Sequence, residues 1–264
     1  MTKSIKIIKN RSDIGAGTRG SDLGVDALEI AAINQGRDYF NLFPFFDVKT
    51  NNETIYDKVR NSFAKRIGHV AEHCQRVCEA VNLVHNQGFF PLVLSGDHSS
   101  ALGSISRLNK SHPDKRLGVI WIDAHADLHS PYTSPSGNIH GMPLAAAIGD
   151  DNLDSKINDV SRETYENWET MKNLGVKGPK ILPQDIVFFG VRDTEPPEDQ
   201  QCEQYGIRNY MVAEIRHRGL DVCLTEAEER LKDCDIIYIS FDVDSMDCDM
   251  ISNGTGTPVP KGFD

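Results

Sequence analysis

The run Asp123-Ala-His125-Ala-Asp127 follows the apolar stretch Leu117–Ile122, and Asp242-Val-Asp244 follows a second such stretch, Ile236–Phe241. In an extended chain alternate side chains point the same way. On that spacing Asp123, His125 and Asp127 are expected to share one face, and Asp242 and Asp244 another. So much negative charge at the ends of buried strands is prohibitive unless cations neutralise it. Carboxylates mixed with imidazole suit divalent ions, manganese above all, and bridging carboxylates favour a two-metal site. A third polar cluster, Ser95-Gly-Asp97-His98-Ser99-Ser100, follows the apolar residues 90–94, and its glycine permits a tight turn that brings His98 to the sheet edge. Each cluster alone is weak, since a lone histidine after a strand is more often structural and Asp-x-Asp is common in loops. Three clusters in this order point to a metal centre.

Strands must carry these clusters. Apolar, β-rich runs are expected as strands at 5–8, 39–46, 90–94, 117–122, 185–191, 208–212 and 235–241. Helices are expected near 22–34, 54–86, 99–108, 157–174, 197–205 and 224–232, the long one stopping at Asn86-Gln-Gly88. The alternation predicts an α/β fold, a doubly wound, mostly parallel sheet in three layers with helices on both faces. The polar segment 150–182 reads as an excursion carrying a helix, so residues 1–264 form one domain. Sites in such sheets lie at the carboxyl ends of the strands, where the Asp/His clusters fall.

A chain of 264 residues suits one large α/β domain with a substantial core. A net charge of −11 argues against nucleic acid and anionic membrane as partners, and bound metal would cancel part of it. No apolar run reaches membrane-spanning length, and the start MTKSIKIIKNRSD leads into a strand-like segment rather than a signal peptide. Cys74, Cys78, Cys202, Cys223, Cys234 and Cys248 are scattered without zinc-type pairing, which fits free thiols in a reducing cytoplasm. His73, Cys74 and Cys78 share a helical region; core packing plus a surface histidine is favoured there over a metal site.

The combination SGDHSS, DAHADLHSP and SFDVDSMD, with Gly17-Thr-Arg-Gly-Ser-Asp-Leu-Gly24 ahead of the first helix, resembles the ureohydrolase family of arginase, agmatinase and relatives, arginase most closely. The resemblance implies that His98, Asp123, Asp127 and Asp242 hold one manganese ion. It implies that His125, Asp123, Asp242 and Asp244 hold a second, with Asp123 and Asp242 bridging; cobalt would fit the same ligands. A hydroxide bridging the metals would attack the guanidinium carbon, releasing urea and an amine. Asp127 is expected to move the proton from nucleophile to leaving nitrogen, and His140 to shuttle protons.

Ser134-Pro-Ser136-Gly-Asn138-Ile-His140-Gly-Met-Pro143 resembles the arginase loop whose Ser and Asn bind the substrate's α-carboxylate, so L-arginine is the expected substrate. An ordinary polar turn is the competing reading of Ser136 and Asn138. Glu195 and Glu198 resemble the acidic positions that meet the α-amino group, although the family has aspartate where Glu195 stands; a charged surface loop competes there. His129 stands where arginases place asparagine near the carboxylate, and together with Glu195 leaves guanidino acids open. Cys248 stands where a proline is common, and Asp247 is expected to support the metal loop. Thr257, in Thr255-Gly-Thr257-Pro-Val-Pro260, resembles part of the loop lining the site. In the family a helix, a strand, a guanidinium-gripping glutamate and a closing helix follow, so this sequence is expected to be a truncated version lacking that helix-strand-helix portion. The remaining alternatives are a ureohydrolase acting on agmatine or a guanidino acid, and a non-catalytic metal-binding subunit. A homo-oligomer, trimer or hexamer, is expected from the resemblance alone.

Overall fold

Seven short runs, rich in β-branched and aromatic residues, form strands among the residues described, 4–264, in a computed structural model of the chain. Residues 1–3, which open the segment read as leading into the first strand, lie outside that description. The strands are β1 (Ile5–Asn10), β2 (Phe45–Asp47), β3 (Phe90–Ser95), β4 (Leu117–Ile122), β5 (Ile186–Phe189), β6 (Arg208–Tyr210) and β7 (Ile236–Phe241). Between them lie α1 (Gly24–Asn34), α2 (Tyr39–Leu42), α3 (Ile67–Asn86), α4 (Ala101–Ser111), α5 (Pro143–Ile148), α6 (Arg162–Lys172), α7 (Pro196–Tyr205), α8 (Val212–Arg218) and α9 (Leu220–Arg230). Each described pairing is parallel, which requires crossovers between paired strands and sends every strand's carboxyl end to the same side. The strands fall into two sheets, ordered β2-β1-β3 and β6-β5-β4-β7.

Alternation along β4 and β5 builds the layers. Val119 and Trp121 on β4, with Ile186 and Phe188 on β5, pack into one core with residues of α3, α4, α5 and α6. Val187 and Phe189, with Ile120 and Ile122 beside them, face the other way onto Ile215 of α8 and Cys223 and Ala227 of α9. A strand buried on both faces tolerates no polar position without a partner, which is why these runs are continuously apolar. On α3 the apolar residues recur three and four apart; Val77, Val81 and Val84 pack with Ile8 of β1 and with Val48 just after β2, while Val70 and Cys74 join the main core. Each fully buried Val or Ile contributes about 1.5–3 kcal/mol, so the helix anchors both sheets.

Some local expectations are corrected. The segment 39–46 is not one strand: Tyr39–Leu42 is a helical turn, Phe43 turns extended ahead of Pro44, and the strand begins at Phe45. The helix expected over 54–86 begins only at Ile67, after Arg66 in a left-handed conformation (φ 56°). The preceding residues are drawn away by a tertiary contact, Lys65 N donating to Gly137 O at 2.7 Å. His73 is not at the surface: it is 2% exposed, with Nε2 2.7 Å from Asn10 Oδ1. All six cysteines are free. Among the described residues no helix is long and apolar enough to cross a membrane. Among them too, β3 and β7 each pair along one edge only, and Phe90, Leu92, Ile239 and Phe241 on these strands are exposed.

Candidate metal centre

Parallel register sets two of the acidic residues side by side. Ile122 pairs with Phe241, and the ladder runs one step further, Asp242 N donating to Ile122 O at 2.8 Å. Asp123 and Asp242 therefore emerge from adjacent strand ends. Beyond this step the chain is no longer extended, so the expectation of faces shared by strand alternation is corrected. Asp127 is left-handed (φ 52°), a conformation that aspartate tolerates better than most residues. Asp242 opens a short 3-10 turn, Val243–Ser245, its carboxylate accepting from Asp244 N at 3.0 Å. Turns bring the side chains together.

His98 arrives from the other sheet. Asp97 caps the turn after β3, accepting from Ser99 N at 2.8 Å and from Gly15 N at 3.0 Å. His98 Nδ1 then lies 2.9 Å from Asp123 Oδ2, 3.1 Å from Asp127 Oδ2 and 3.2 Å from Asp242 Oδ2. Its Nε2 is 2.7 Å from Ser240 Oγ, and its ring stacks on Trp121 with centroids 4.0 Å apart. A second group adjoins the first: His125 Nδ1 lies 3.0 Å from Asp244 Oδ2 and 3.5 Å from Asp123 Oδ1. Asp123 thus offers one oxygen to each group. All six side chains expected at a metal centre converge.

Charge explains what this arrangement requires. Four carboxylates face two imidazoles in a largely buried space. Burial would depress the His98 pKa, but contacts with Asp123, Asp127 and Asp242 outweigh it and raise it well above the ordinary value. His125, likewise opposed by burial, is raised to about 11 by Asp123 and Asp244. Burial and the charge of Asp123 push Asp127 up to about 7. Burial and Asp242 oppose ionisation of Asp123, yet its two histidine contacts hold it below the ordinary carboxylate value. The cluster attracts cations. His98 Nδ1, Asp123 Oδ2 and Asp127 Oδ2 are buried and crowd one another without a well-formed hydrogen bond, and each is an atom of a type that ligates metal. Ligand atoms of His98, Asp123 and Asp127, and those of Asp123, His125 and Asp244, each lie within 4.8 Å of one another, so the donor set fits divalent metal.

Around this centre the other expected residues take two sides. On one, Ser136 Oγ accepts from Asn138 N at 3.2 Å, and His140 N donates to Gly15 O at 3.1 Å. Burial lowers the His140 pKa, opposed by Asp97 and reinforced by His125. On the other side, His129 Nε2 lies 3.2 Å from Glu195 Oε2 and 3.5 Å from Glu198 Oε2. Thr133 Oγ1 is 3.1 Å from His129 Nδ1; with the hydroxyl donating there, the ring proton sits on Nε2 and points at the glutamates. Burial lowers His129 to about 4 and raises Glu198 to about 8, so the approach of the imidazole to the glutamates is not that of a charged pair near pH 7. Glu195 and Glu198 form a capping box at the start of α7, which fixes both carboxylates. A cleft of about 400 Å³ lined by Thr133, Ile157, Glu195 and Pro196 opens beside them. Thr257 donates to Asp244 Oδ2 at 2.9 Å, so its hydroxyl supports an acidic side chain of the cluster. Asp247 accepts from Asp249 N and Gly262 N at 2.9 and 3.1 Å, tying down the loop after Asp244.

Sequence reasoning missed three contributors. Ser240 is a hydroxyl inside the apolar strand β7, and that oddity was its one signal. Trp121 reads as core and is core, but its ring face supports His98. Arg192 donates to the carbonyls of Gly190, Asp244 and Val259 at 3.0, 2.9 and 2.8 Å, binding the β5, β7 and C-terminal loops together; nothing in its linear neighbourhood shows this.

The sequence matches the Arginase family profile over residues 3–264. It is 34% identical over 265 residues to the arginase of Bacillus subtilis (strain 168), an alignment covering 100% of this chain and 82% of that protein. To arginase-1 of Homo sapiens it is 36% identical over 229 residues, covering 86% of this chain and 64% of that protein. The solved arginase structure from Bacillus caldovelox superposes with a TM-score of 0.83 at 33% identity, covering 99% of this chain and 82% of that one. With the Asp/His clusters at the carboxyl ends of parallel strands, these likenesses establish that the chain belongs to the arginase family of hydrolases.

Proposed function

We propose that this chain is a manganese-dependent arginase, hydrolysing the guanidinium group of L-arginine to L-ornithine and urea. The observation that carries the reading is the pair of adjoining donor groups that share Asp123. His98, Asp123, Asp127 and Asp242 would hold one divalent cation, and His125, Asp123, Asp242 and Asp244 would hold the other. Two such cations supply a hydroxide nucleophile near neutral pH and neutralise the carboxylates. Replacing the C–N bond by a C–O bond at the guanidinium carbon requires one proton to reach the departing nitrogen. Asp127, buried beside His98, is placed to accept that proton from the nucleophile and deliver it. His140 lies on the substrate side and relays protons between the site and solvent. Ser136 and Asn138 bind the α-carboxylate, and Glu195 and Glu198 face the α-amino group across His129.

The wider reading includes a single catalytic domain, a small-molecule substrate, a cytoplasmic setting supported by the free cysteines, and a homo-oligomer supported by exposed Leu28, Ile30 and Ile33 on α1. Urea release by the manganese-loaded chain, offered L-arginine and agmatine in parallel, tests it. Release from arginine is the expected result; release from agmatine alone would overturn the substrate assignment.

A further inference from the structure

We propose that Lys65 is a specificity-determining residue whose ammonium group, together with Ser136 and Asn138, recognises the substrate's carboxylate. The proposal deepens the arginine reading and rests on it for the carboxylate. Three chain segments meet at this point. Lys65 N donates to Gly137 O at 2.7 Å, His140 N to Gly15 O at 3.1 Å, and Arg66 Nε to Ile14 O at 3.1 Å. Gly137 is left-handed (φ 69°), and a Cβ there would run into the backbone of Ser62 and Phe63; one at Gly17 would strike the Asn138 amide. The junction is tight, so the position of Lys65 beside the loop is set by backbone packing rather than by chance contact of a long side chain.

From that position Lys65 Nζ donates to Asn138 Oδ1 at 3.2 Å. An amide oxygen needs only a neutral donor. A cation spent on it is otherwise uncompensated, and among the described residues no carboxylate is paired with Lys65. The contact also orients Asn138: with Oδ1 taken by the ammonium, Nδ2 is left to donate elsewhere, and an anion there meets amide N–H and ammonium together. The segment 193–198 carries acidic groups next to the cluster. Asp193 Oδ2 lies 3.6 Å from His125 Nε2, and Glu195 and Glu198 face His129. In the arginine reading the substrate's ammonium goes to this segment, with Asp193 and Glu195 as its acidic groups, and its carboxylate goes to Lys65.

The test compares L-ornithine with 1,4-diaminobutane, which differ by the carboxylate alone, as ligands of the manganese-loaded full chain in calorimetry. The wild-type chain is expected to prefer ornithine. Lys65→Gln keeps a donor for Asn138 but removes the charge; it should weaken ornithine binding about ten- to a hundredfold and leave the diamine unchanged. Lys65→Arg should restore most of the preference. An ornithine-to-diamine ratio equal in wild type and Lys65→Gln, equal losses for both ligands, or no wild-type preference would each overturn the assignment. Urea release from arginine is scored separately. A chain that releases none, yet keeps a Lys65-dependent preference for ornithine, sinks the arginine reading and leaves Lys65 as a carboxylate-binding residue.

Discussion

His98 and Ser240 stand 142 positions apart in sequence and 2.7 Å apart in space, joining the turn after the edge strand of one sheet to the edge strand of the other. With Ser240 at Nε2, the imidazole keeps Nδ1 turned toward Asp123, Asp127 and Asp242. A partner that fixes ring orientation and tautomer raises a ligand's effectiveness. Ser240→Ala should therefore lower manganese affinity about ten- to a hundredfold while the fold stays intact. Titration of the metal-free chain with manganese, followed by electron paramagnetic resonance, reads this directly. An unchanged affinity would show that stacking on Trp121 alone suffices to orient the ring.

Asp127 is the residue to replace for chemistry. Asparagine is the right substitute, because it tolerates the left-handed backbone that alanine would strain by about 1–2 kcal/mol. Asp127→Asn keeps an oxygen near the metal position but cannot take a proton. Turnover of arginine should fall at least a hundredfold, in keeping with the roughly 10²–10⁴-fold contribution of a positioned acid–base group. Metal content must be measured on the same sample. A variant with full metal and near-wild-type urea release would remove Asp127 from the proton path.

The convergence of the Asp/His clusters was legible in the sequence because their residues follow strands directly, and each strand end is written as an apolar run stopping at Asp or Gly-Asp-His. What misled was the reason for convergence. Strand alternation was expected past Ile122, whereas a left-handed Asp127 and the 3-10 turn after Asp242 do the work. The short helix α5 carries ordinary signals, Pro143 at its start and a left-handed Gly149 at its end, yet at six residues it is too brief for a periodic pattern to reveal. Local propensity carries helix α3 back over 54–66 because it says nothing of the clasp between Lys65 and Gly137. The partnership of His129 with Glu195 was equally hidden, since each residue read as an isolated departure from a family pattern.

Removing metal should destabilise the chain as well as silence it. The cluster confines four carboxylates, and cations held by it would bind only the folded form. Cations held at a hundred times their dissociation constant stabilise by about 2.7 kcal/mol per site. For a chain of this size that corresponds to a fall in melting temperature of roughly 5–10 °C per site when a chelator is added. Elemental analysis after dialysis should return two manganese ions per chain. Saturation at one would overturn the sharing of Asp123 between two cations.

Stability should also fall in acid through His73, which is not one of the cluster's own side chains. Burial depresses its pKa from 6.5 to about 4, Asp97 opposing the shift. The unfolded chain thus takes up a proton near pH 6.5 that the folded chain refuses until about pH 4. The contribution is fully present above pH 6.5 and is lost as the pH falls through that window, roughly 3 kcal/mol by its lower end. The physical cause is visible: Nε2–H donates to Asn10, while Nδ1 is buried without a partner and has nowhere to put a second proton's charge. His73→Gln can still offer an N–H to Asn10 and does not titrate. Urea unfolding at pH 7, 5.5 and 4 should show a steeper loss for the wild-type chain than for His73→Gln, the two curves converging toward pH 4. Parallel curves would place the acid sensitivity elsewhere, with His129, depressed to about 4 by burial, the next group to replace.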